Sequence, residues 1–345
     1  MSAAEAPPDF DEAALARWLD ASLDGFDGPI VVTKFAGGQS NPTYRIDAAS
    51  GPLVLRRRPF GPTLPSAHAV DREYRLISAL HPAGLPVARP LAFCTDDGVI
   101  GAMFYVMQYV EGRIFWDASL PELPAPDRRD IHEEAIRALA RLHAIDPAMI
   151  GLQGFGRPGN YFARQVERWT RQYRAAQTTT IEPVERLIEW LPRTIPAQTR
   201  SAIIHGDYRL DNLIFDPARP VVRAMLDWEL ATIGDPLADF AYLAMNWTMP
   251  ADGRSGLAGI DLGEAGIPDL DEAVALYCAE TGRDRLPDLH WYFAYNLFRL
   301  VGIVQGIRRR IIDGNASSAQ AEAAAARIMP LADAAWREAR LAGAH

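Results

Sequence analysis

The stretch AIIHGDYRLDNLIF, residues 202–215, carries the most informative pattern in the chain. Two apolar runs, typical of short buried strands, enclose a polar loop that contains His205, Asp207 and Asn212. An aspartate and an asparagine at this spacing can face one point from two sides of the loop. The carboxylate can accept a proton from a hydroxyl group, and the amide oxygen can bind a hard cation. The loop therefore predicts a general base beside a metal ion.

A second acidic residue follows this loop. Residues 225–229 read MLDWE, so Asp227 comes directly after an apolar strand. Asn212 and Asp227 as oxygen ligands, with Asp207 as the base, fit a Mg²⁺–nucleotide site of the protein-kinase type. The alternative is a tight turn in which Asp207 and Asn212 cap backbone groups while Asp227 is solvated. An H-x-D-x₄-N pattern arises by chance in about one or two chains in a hundred of this length, which favours the functional interpretation.

These residues resemble the aminoglycoside phosphotransferase and choline kinase superfamily, in which His-Gly-Asp replaces the His-Arg-Asp of protein kinases. GDPLAD, residues 234–239, matches the GDP-x-x-D stretch of that superfamily. The resemblance implies that Asp207 is the catalytic base, that Asn212 and Asp227 hold Mg²⁺, and that ATP is the phosphate donor. We expect both aspartates of the GDPLAD stretch to brace the loop from the start of a helix, where carboxylates suit the helix dipole.

A glycine-containing loop precedes this region, between two predicted strands. It reads FAGGQSNPTY, residues 35–44. Successive glycines let backbone amides turn toward an anion, as in phosphate-binding loops. Gly38, Ser40 and Asn41 are therefore candidate phosphate contacts. The pattern is not G-x-G-x-x-G, and a plain hairpin would have the same sequence character.

An arginine stands where kinases carry the lysine that binds ATP phosphates. The predicted strand LVLR ends at Arg56, and Lys34, the only lysine in the chain, precedes the glycine loop. Glu73 falls within the apolar stripe of a helix predicted over 67–80, with Ser66 as its N-cap. A carboxylate on that face is costly unless it is paired, so we expect an Arg56–Glu73 ion pair that positions phosphates. The other interpretation places the Glu73 carboxylate in solvent at the rim.

The segment YVMQYVEG, residues 105–112, is predicted to be the last strand of the N-terminal part and its exit into a hinge. By resemblance to kinases, the carbonyl of Gln108 and the amide of Val110 would hold the adenine of ATP.

The distribution of patterns predicts an α+β, bilobal protein-kinase-like fold, with a small β-rich N-terminal lobe over 1–110 and a larger, mainly helical C-terminal lobe over 111–345. Predicted strands are 31–32, 43–46, 53–55 and 103–110, with further short strands within 202–230. Predicted helices are 11–23, 67–80, 127–145, 161–176, 183–191, 235–245, 270–280, 289–312 and 317–341.

Composition excludes several classes of protein. Of 345 residues, 49% are hydrophobic and 23% charged, as in ordinary globular proteins, and the net charge of −9 argues against a nucleic-acid partner. Two cysteines rule out a disulfide framework or a cysteine-rich zinc site. The first ten residues lack the regions of a signal peptide, and no apolar run reaches the length of a membrane span. We therefore expect a cytoplasmic protein without a membrane partner; the sequence leaves its oligomeric state open.

These features predict an ATP- and Mg²⁺-dependent phosphotransferase that phosphorylates a hydroxyl of a small molecule. The segments GQSNPTY, LRRRP and DREY resemble the kinase domains associated with acyl-CoA dehydrogenases, which implies a hydroxyacyl-CoA or hydroxy-acid acceptor. Arg299, a polar residue in an apolar stretch, is a candidate contact for an anionic substrate. The alternatives are an aminoglycoside or other antibiotic phosphotransferase and a nucleotide-binding pseudokinase, which the missing lysine favours. A protein kinase is disfavoured because HRD and DFG signatures are absent.

Overall fold

The computed structural model describes residues 9–35, 41–61, 69–252, 254–314 and 319–345. The chain divides into two compact units. The first unit comprises Met1–Ile114, Ala148–Leu152 and Asn212–Leu230, and the second unit comprises Phe115–Pro147, Gln153–Asp211 and Ala231–His345.

The units interleave along the chain, whereas the sequence suggested one boundary at 110/111. The reason is a long-range backbone pairing. Arg113 and Phe215 exchange two hydrogen bonds of 2.8 Å each, which attach the segment after Asn212 to the first unit. At Gly112 an added Cβ would lie 2.1 Å from the carbonyl oxygen of Phe215, so this approach requires glycine.

An antiparallel sheet of five strands in the order β1-β2-β3-β5-β4 forms the centre of the first unit. Its strands are β1 (Val31–Lys34), β2 (Thr43–Asp47), β3 (Leu53–Arg57), β4 (Pro90–Cys94) and β5 (Phe104–Gln108), and its helices are α1 (Glu12–Ser22) and α2 (Val70–Leu80). Leu15 and Leu19, one turn apart on α1, are fully buried against Tyr44, Ile46 and Leu55 of the sheet. This apolar contact fixes α1 on the sheet.

Two details of this unit differ from the sequence prediction. Strand β4 was not predicted, because it begins at Pro90 and lacks an alternating pattern; an edge strand tolerates a proline that cannot donate to a neighbour. Helix α2 begins at Val70, and the predicted cap Ser66 lies outside the described residues.

A hairpin of β7 (Leu213–Phe215) and β8 (Val222–Met225) completes the first unit. The amide of Met225 donates to the carbonyl of Pro86 at 2.8 Å, a second backbone link between the hairpin and the N-terminal part of the chain. Both strands fall within 202–230, where the sequence predicted short strands.

Arg56 and Arg57 are neighbours on β3, so their side chains point to opposite faces of the sheet. Arg57 is buried and its Nη2 donates to Asp9 Oδ2 at 2.6 Å. The hydroxyl of Tyr44 donates to the other oxygen of Asp9 at 2.8 Å. The guanidinium of Arg57 also lies 3.7 Å from the ring centroid of Phe60. The side chain of Arg56 lies on the opposite face of the sheet.

The second unit is mainly helical and contains one two-stranded sheet, β6 (Ala202–Ile204) with β9 (Thr232–Gly234). Its helices are α3 (Ala125–Ala144), α4 (Tyr161–Ala176), α5 (Glu182–Trp190), α6 (Leu237–Ala244), α7 (Leu262–Ala265), α8 (Leu270–Thr281), α9 (His290–Ile312), α10 (Ala319–Ala326) and α11 (Ile328–Leu341). Helix α9 is buried on all sides over most of its length, because α4, α6 and α11 pack around it.

The single terminal helix predicted over 317–341 is wrong, since the structure has two helices separated at Arg327. Pro330 lacks the amide hydrogen that would bond to the carbonyl of Ala326, so the first helix ends there and Pro330 lies in the first turn of the next. Within the described residues, no helix is both long and apolar enough to cross a membrane.

Candidate active site

In the first unit, the predicted ion pair between Arg56 and Glu73 is present. The Nε of Arg56 lies 2.8 Å from Glu73 Oε2, and Nη2 donates to Oε1 at 3.4 Å. Arg56 is 9% and Glu73 3% exposed, so neither charge is solvated. The confirmed pair means that the alternative placement of Glu73 at a solvated rim is wrong. Burial of either charge alone would be costly, and the two side chains can be buried together because each neutralises the charge of the other.

Two further side chains hold the Glu73 carboxylate in place. The amide Nδ2 of Asn41 donates to Oε1 at 2.8 Å, and the hydroxyl of Tyr105 donates to Oε2 at 3.1 Å. Burial raises the pKa of Glu73, and the adjacent Arg56 opposes that rise. These donors fix the orientation of the carboxylate, and therefore that of Arg56.

Of the candidate phosphate contacts in the glycine loop, Asn41 lies within the described residues. The side chain of Asn41 is fully buried on Glu73, a contact that sequence reasoning did not anticipate. Gly38 and Ser40 lie outside the described residues. A phosphate contact from this loop stays a prediction.

Arg56 also reaches the aspartate predicted to bind metal. Its Nη2 donates to Asp227 Oδ1 at 2.8 Å and lies 3.9 Å from Glu229 Oε2. Burial by itself would lower the pKa of Arg56, but the charges of Glu73, Asp227 and Glu229 raise it, so the guanidinium remains charged. The Arg56 guanidinium thus links the carboxylate of Glu73 on α2 to the carboxylate of Asp227, which follows β8.

The backbone at Asp227 is unusual. Its φ of 63° lies in the left-handed region, which non-glycine residues seldom adopt and which is often found at functional sites. The side chain is 36% exposed, so it can bind a further group besides Arg56.

Asn212 and Asp227 have the chemistry of a magnesium site. The amide of Leu226 donates to the carbonyl of Asn212 at 2.8 Å, so the residue before β7 is tied to the segment after β8 that carries Asp227. Mg²⁺ prefers oxygen ligands and commonly takes one or two from the protein and the rest from phosphates and water. No group of three or more His, Cys, Asp or Glu side chains in the described part of the chain could hold a metal. One amide oxygen and one carboxylate would fit a Mg²⁺ that takes its other ligands from phosphates and water.

The predicted adenine contacts lie at the end of β5. Gln108 is the last residue of that strand, with an exposed side chain, and its amide donates to the carbonyl of Arg89 at 2.9 Å. Val110 is half-buried just beyond. Adenine binding by Gln108 and Val110 stays a prediction.

In the second unit, Asp239 braces the loop that carries Asp207. From α6, its Oδ2 accepts the amide of His205 at 2.5 Å and its Oδ1 accepts the amide of Gly206 at 2.8 Å. Burial would raise the pKa of Asp239, but hydrogen bonds from His143 and the Gly206 amide hold it below its usual value. The predicted bracing role of Asp239 is confirmed.

The other aspartate of the GDPLAD stretch is also structural. Asp235 Oδ1 accepts the amide of Leu237 at 3.0 Å at the start of α6. Behind Asp239, the Nδ1 of His143 lies 2.8 Å from the hydroxyl of Tyr277 and its Nε2 3.4 Å from Asp239 Oδ2.

The Asp207 carboxylate has several polar neighbours within the second unit. The Nε of Arg209 lies 3.5 Å from Asp207 Oδ1, and Nη2 of the same residue lies 3.1 Å from Asp211 Oδ2. Burial, and then the negative charge of Asp207, raise the pKa of the Tyr242 phenol on α6. The Asp207 side chain is 22% exposed.

Sequence reasoning missed these neighbours of Asp207, although one signal was available. Tyr242 lies three residues after Asp239 on α6, a spacing that places both on one helix face. Arg299, a candidate contact for an anionic substrate, is buried, and its Nη2 donates to the carbonyl of Gly206 at 2.5 Å. The structure thus shows a backbone partner for this cation.

Comparison with known proteins identifies the family of this chain. The profile of the phosphotransferase enzyme family matches residues 31–276, more than half of the chain. This chain belongs to the phosphotransferase enzyme family. Acyl-CoA dehydrogenase family member 10 of Mus musculus is 43% identical over 326 residues, which are 94% of this chain and 30% of the mouse protein. The chain therefore spans about a third of that relative, and its resemblance to domains associated with acyl-CoA dehydrogenases is confirmed.

Solved structures of phosphotransferases share the fold. A crystal structure of a Ralstonia eutropha JMP134 protein, provisionally named an aminoglycoside phosphotransferase, has a TM-score of 0.88 and 44% identity, and covers 96% of this chain and 98% of its own. The aminoglycoside phosphotransferase APH(4)-Ia, in a ternary complex with ADP and hygromycin B, has a TM-score of 0.60 at 15% identity, covering 93% and 97%. These likenesses confirm the α+β, kinase-like fold, and the phosphotransferase family places the chain among small-molecule kinases.

Proposed function

We propose that this phosphotransferase moves the γ-phosphoryl group of ATP to a hydroxyl group of a small molecule in a Mg²⁺-dependent reaction. The observation that carries the proposal is the buried Arg56, which binds Glu73 and Asp227 at once. A kinase needs a fixed cation for the phosphates of ATP beside a carboxylate for the metal. The arginine supplies that cation, which weakens the pseudokinase interpretation based on the missing lysine.

Each residue then has a role that its surroundings support. Arg56, held by Glu73, presents a planar fork that can bind two phosphate oxygens. Asn212 and Asp227 would hold Mg²⁺, which when bound neutralises charge on the β- and γ-phosphates. The Gly38–Asn41 loop would cover the phosphates, and Gln108 and Val110 would hold the adenine. The ADP complex of APH(4)-Ia supports the choice of an adenine nucleotide, and an ATP-dependent reaction suits the cytoplasmic location expected from the sequence.

Proton transfer is assigned to Asp207. Its partly exposed carboxylate would accept the proton of the acceptor hydroxyl as that oxygen attacks the γ-phosphorus, and the bond to the ADP oxygen breaks. The nearby Arg209 adds positive charge where negative charge accumulates during transfer. The products are ADP and a phosphate ester.

For the acceptor, we propose a hydroxyacyl-CoA or a hydroxy acid. The support is the 43% identity to acyl-CoA dehydrogenase family member 10, which continues well beyond the part that matches this chain. An aminoglycoside is the second candidate, because the Ralstonia eutropha protein bearing that provisional name matches over nearly the whole length of both chains.

Both levels of the proposal can be tested in one assay of ADP release. The purified chain is given ATP and Mg²⁺ with 4-hydroxyacyl-CoAs, free 4-hydroxy acids or aminoglycosides. We expect turnover with one of these acceptors, its loss on chelation of Mg²⁺, and a fall in kcat of at least about 10²-fold in Asp207→Asn. Asp284→Asn, a change at an exposed acid of the second unit, should leave kcat unchanged.

Undiminished turnover in Asp207→Asn would remove the general base from the mechanism. ATP binding without turnover across the whole panel would favour the pseudokinase instead. Turnover with aminoglycosides alone would overturn the acyl-CoA assignment while leaving the phosphotransferase assignment in place.

A further inference from the structure

The peptide group that joins Gly206 to Asp207 is held at both of its polar atoms. Its carbonyl oxygen accepts a hydrogen bond of 2.5 Å from Nη2 of Arg299 on α9, and its amide donates to Nδ1 of His205 at 3.2 Å. A peptide group is planar, so these two contacts fix the plane from which the backbone of Asp207 continues. We infer that Arg299 is a positioning residue, which holds this peptide so that the carboxylate of Asp207 meets the acceptor hydroxyl.

The two preceding amides are held from a different helix. Asp239 on α6 accepts the amide of His205 at 2.5 Å and the amide of Gly206 at 2.8 Å. Gly206 has a φ of 85°, in the left-handed region that glycine adopts without steric cost. Because glycine is less restricted in φ and ψ than other residues, these amide contacts do not by themselves set the direction of its carbonyl. The hydrogen bond from Arg299 supplies that restraint.

The guanidinium of Arg299 is itself fixed by aromatic rings. It lies 5.0 Å from the ring centroid of Tyr242 and 5.6 Å from that of Trp169, within the range of cation–π contact. Both aromatic residues are buried, as is Arg299. The arginine side chain therefore has little freedom to move away from the carbonyl of Gly206.

A buried arginine with a backbone partner is costly for stability. Arginine stays protonated in proteins, and a carbonyl group carries no formal charge that could neutralise it. Burial of a charge is unfavourable unless it is compensated, and replacement of buried charged groups by apolar ones is often neutral or stabilising. Stability alone therefore does not account for the arginine at position 299, whereas a restraint on the catalytic loop does.

The restraint matters because proton transfer requires exact placement of the base. A base must come within about 2.6–3.2 Å of the group whose proton it accepts, and a displacement of about 1 Å can lower a rate by about 10²-fold. Loss of the Arg299 contact should therefore slow turnover through Asp207. It should leave ATP binding unchanged, because the proposed contacts at Arg56, Gln108 and Val110 lie in the first unit.

The experiment rests on the proposed function and uses the acceptor that gives turnover in the ADP-release assay. In Arg299→Met we expect kcat to fall about 10- to 100-fold, with the KM for ATP within about twofold and the Tm within about 3 °C of wild type. A merely structural role would lower the Tm and leave the kcat of the folded enzyme unchanged. In the Asp207→Asn background, Arg299→Met should have no further effect on kcat, because Arg299 acts through that carboxylate.

Two further variants complete the design. Arg299→Lys keeps the positive charge but loses the planar fork, so its kcat should be about 3- to 10-fold below wild type. Arg308→Met is the matched control, because Arg308 is a half-buried arginine on the same helix, about 14 Å further along its axis. Its kcat should equal that of wild type.

An unchanged kcat in Arg299→Met with an active wild type would overturn the inference and leave the proposed function standing. A loss of kcat that Arg308→Met shares, or a further loss in the Asp207→Asn background, would overturn it as well. If Arg299→Met does not fold, Arg299→Lys decides, and a wild-type kcat in that variant overturns the inference. If the wild type turns over no acceptor, the proposed function fails, and the positioning role fails with it.

Discussion

Replacement of Arg56 by methionine should cost the protein about 3–5 kcal/mol of unfolding free energy and raise the KM for ATP at least about tenfold. Most of the stability loss comes from Glu73, which is 3% exposed and would be left as an unpaired buried charge. The contact with Asp227 adds at most about 1 kcal/mol, because that carboxylate is 36% exposed and solvent can replace its partner.

A double-mutant cycle tests the origin of this cost. Glu73→Gln keeps the shape of the side chain, and its one oxygen can still accept one of the two hydrogen bonds that Asn41 and Tyr105 donate. The double variant with Arg56→Met should be more stable than the sum of the single effects by at least about 2 kcal/mol. Urea denaturation followed by tryptophan fluorescence gives all four free energies of unfolding.

The adjacent residue on β3 is the control for ATP binding. Arg57 is also buried, but it pairs with Asp9, which is largely solvated, on the other side of the strand. Arg57→Met should therefore lose about 1–3 kcal/mol of stability and leave the KM for ATP within about twofold of wild type. Equal effects of the two substitutions on the KM for ATP, or additive stabilities in the cycle, would refute the assigned roles of Arg56.

Two further predictions concern stability alone. Burial lowers the pKa of His132 from 6.5 to about 4, so its protonation favours the unfolded chain as the pH falls. The free energy of unfolding should drop by about 2 kcal/mol between pH 7 and 5 from this residue, and urea titrations should show a smaller drop in His132→Gln; equal drops would contradict this. Gly112→Ala should lower the free energy of unfolding by about 1–3 kcal/mol, measured by thermal or urea unfolding, because the added Cβ would lie 2.1 Å from the Phe215 carbonyl oxygen. Gly154→Ala, where a Cβ meets nothing within 4 Å, should change stability little, and equal costs would contradict the steric argument.

The residues that the sequence predicted correctly share one property. The local pattern of the helix or strand that carries each residue was enough to single it out. Helical periodicity alone places Glu73 on the buried face of α2, and burial of a carboxylate demands a cation nearby. Arg56, at the end of β3, was the available candidate. Asp239 was likewise predicted from its place in the first turn of α6, although its partners, the amides of His205 and Gly206, lie on a distant segment.

The residues that the sequence missed depend on contacts between distant segments. Asn41 and Tyr105 meet on Glu73 because three separate elements converge there, and no local pattern encodes that convergence. Arg299 was recognised as a polar residue in an apolar helix, but its partner, the carbonyl of Gly206, is a backbone atom that carries no side-chain signature. The backbone pairing of Arg113 with Phe215 also involves no side chain, so the sequence gives no sign of it. This pairing is one reason why the first unit includes residues 212–230.

The left-handed backbone at Asp227 restricts which experiments at that position are informative. A bulky or β-branched replacement would add conformational strain to the loss of the carboxylate, so an inactive variant of that kind says nothing about metal binding. Glycine relaxes the backbone but removes the oxygen. Asparagine tolerates the same φ and keeps one oxygen of the side chain. Both the backbone conformation and the ligand chemistry therefore restrict which residues position 227 accepts. Asp227→Asn removes the charge of the side chain while it keeps the backbone conformation and one ligand oxygen.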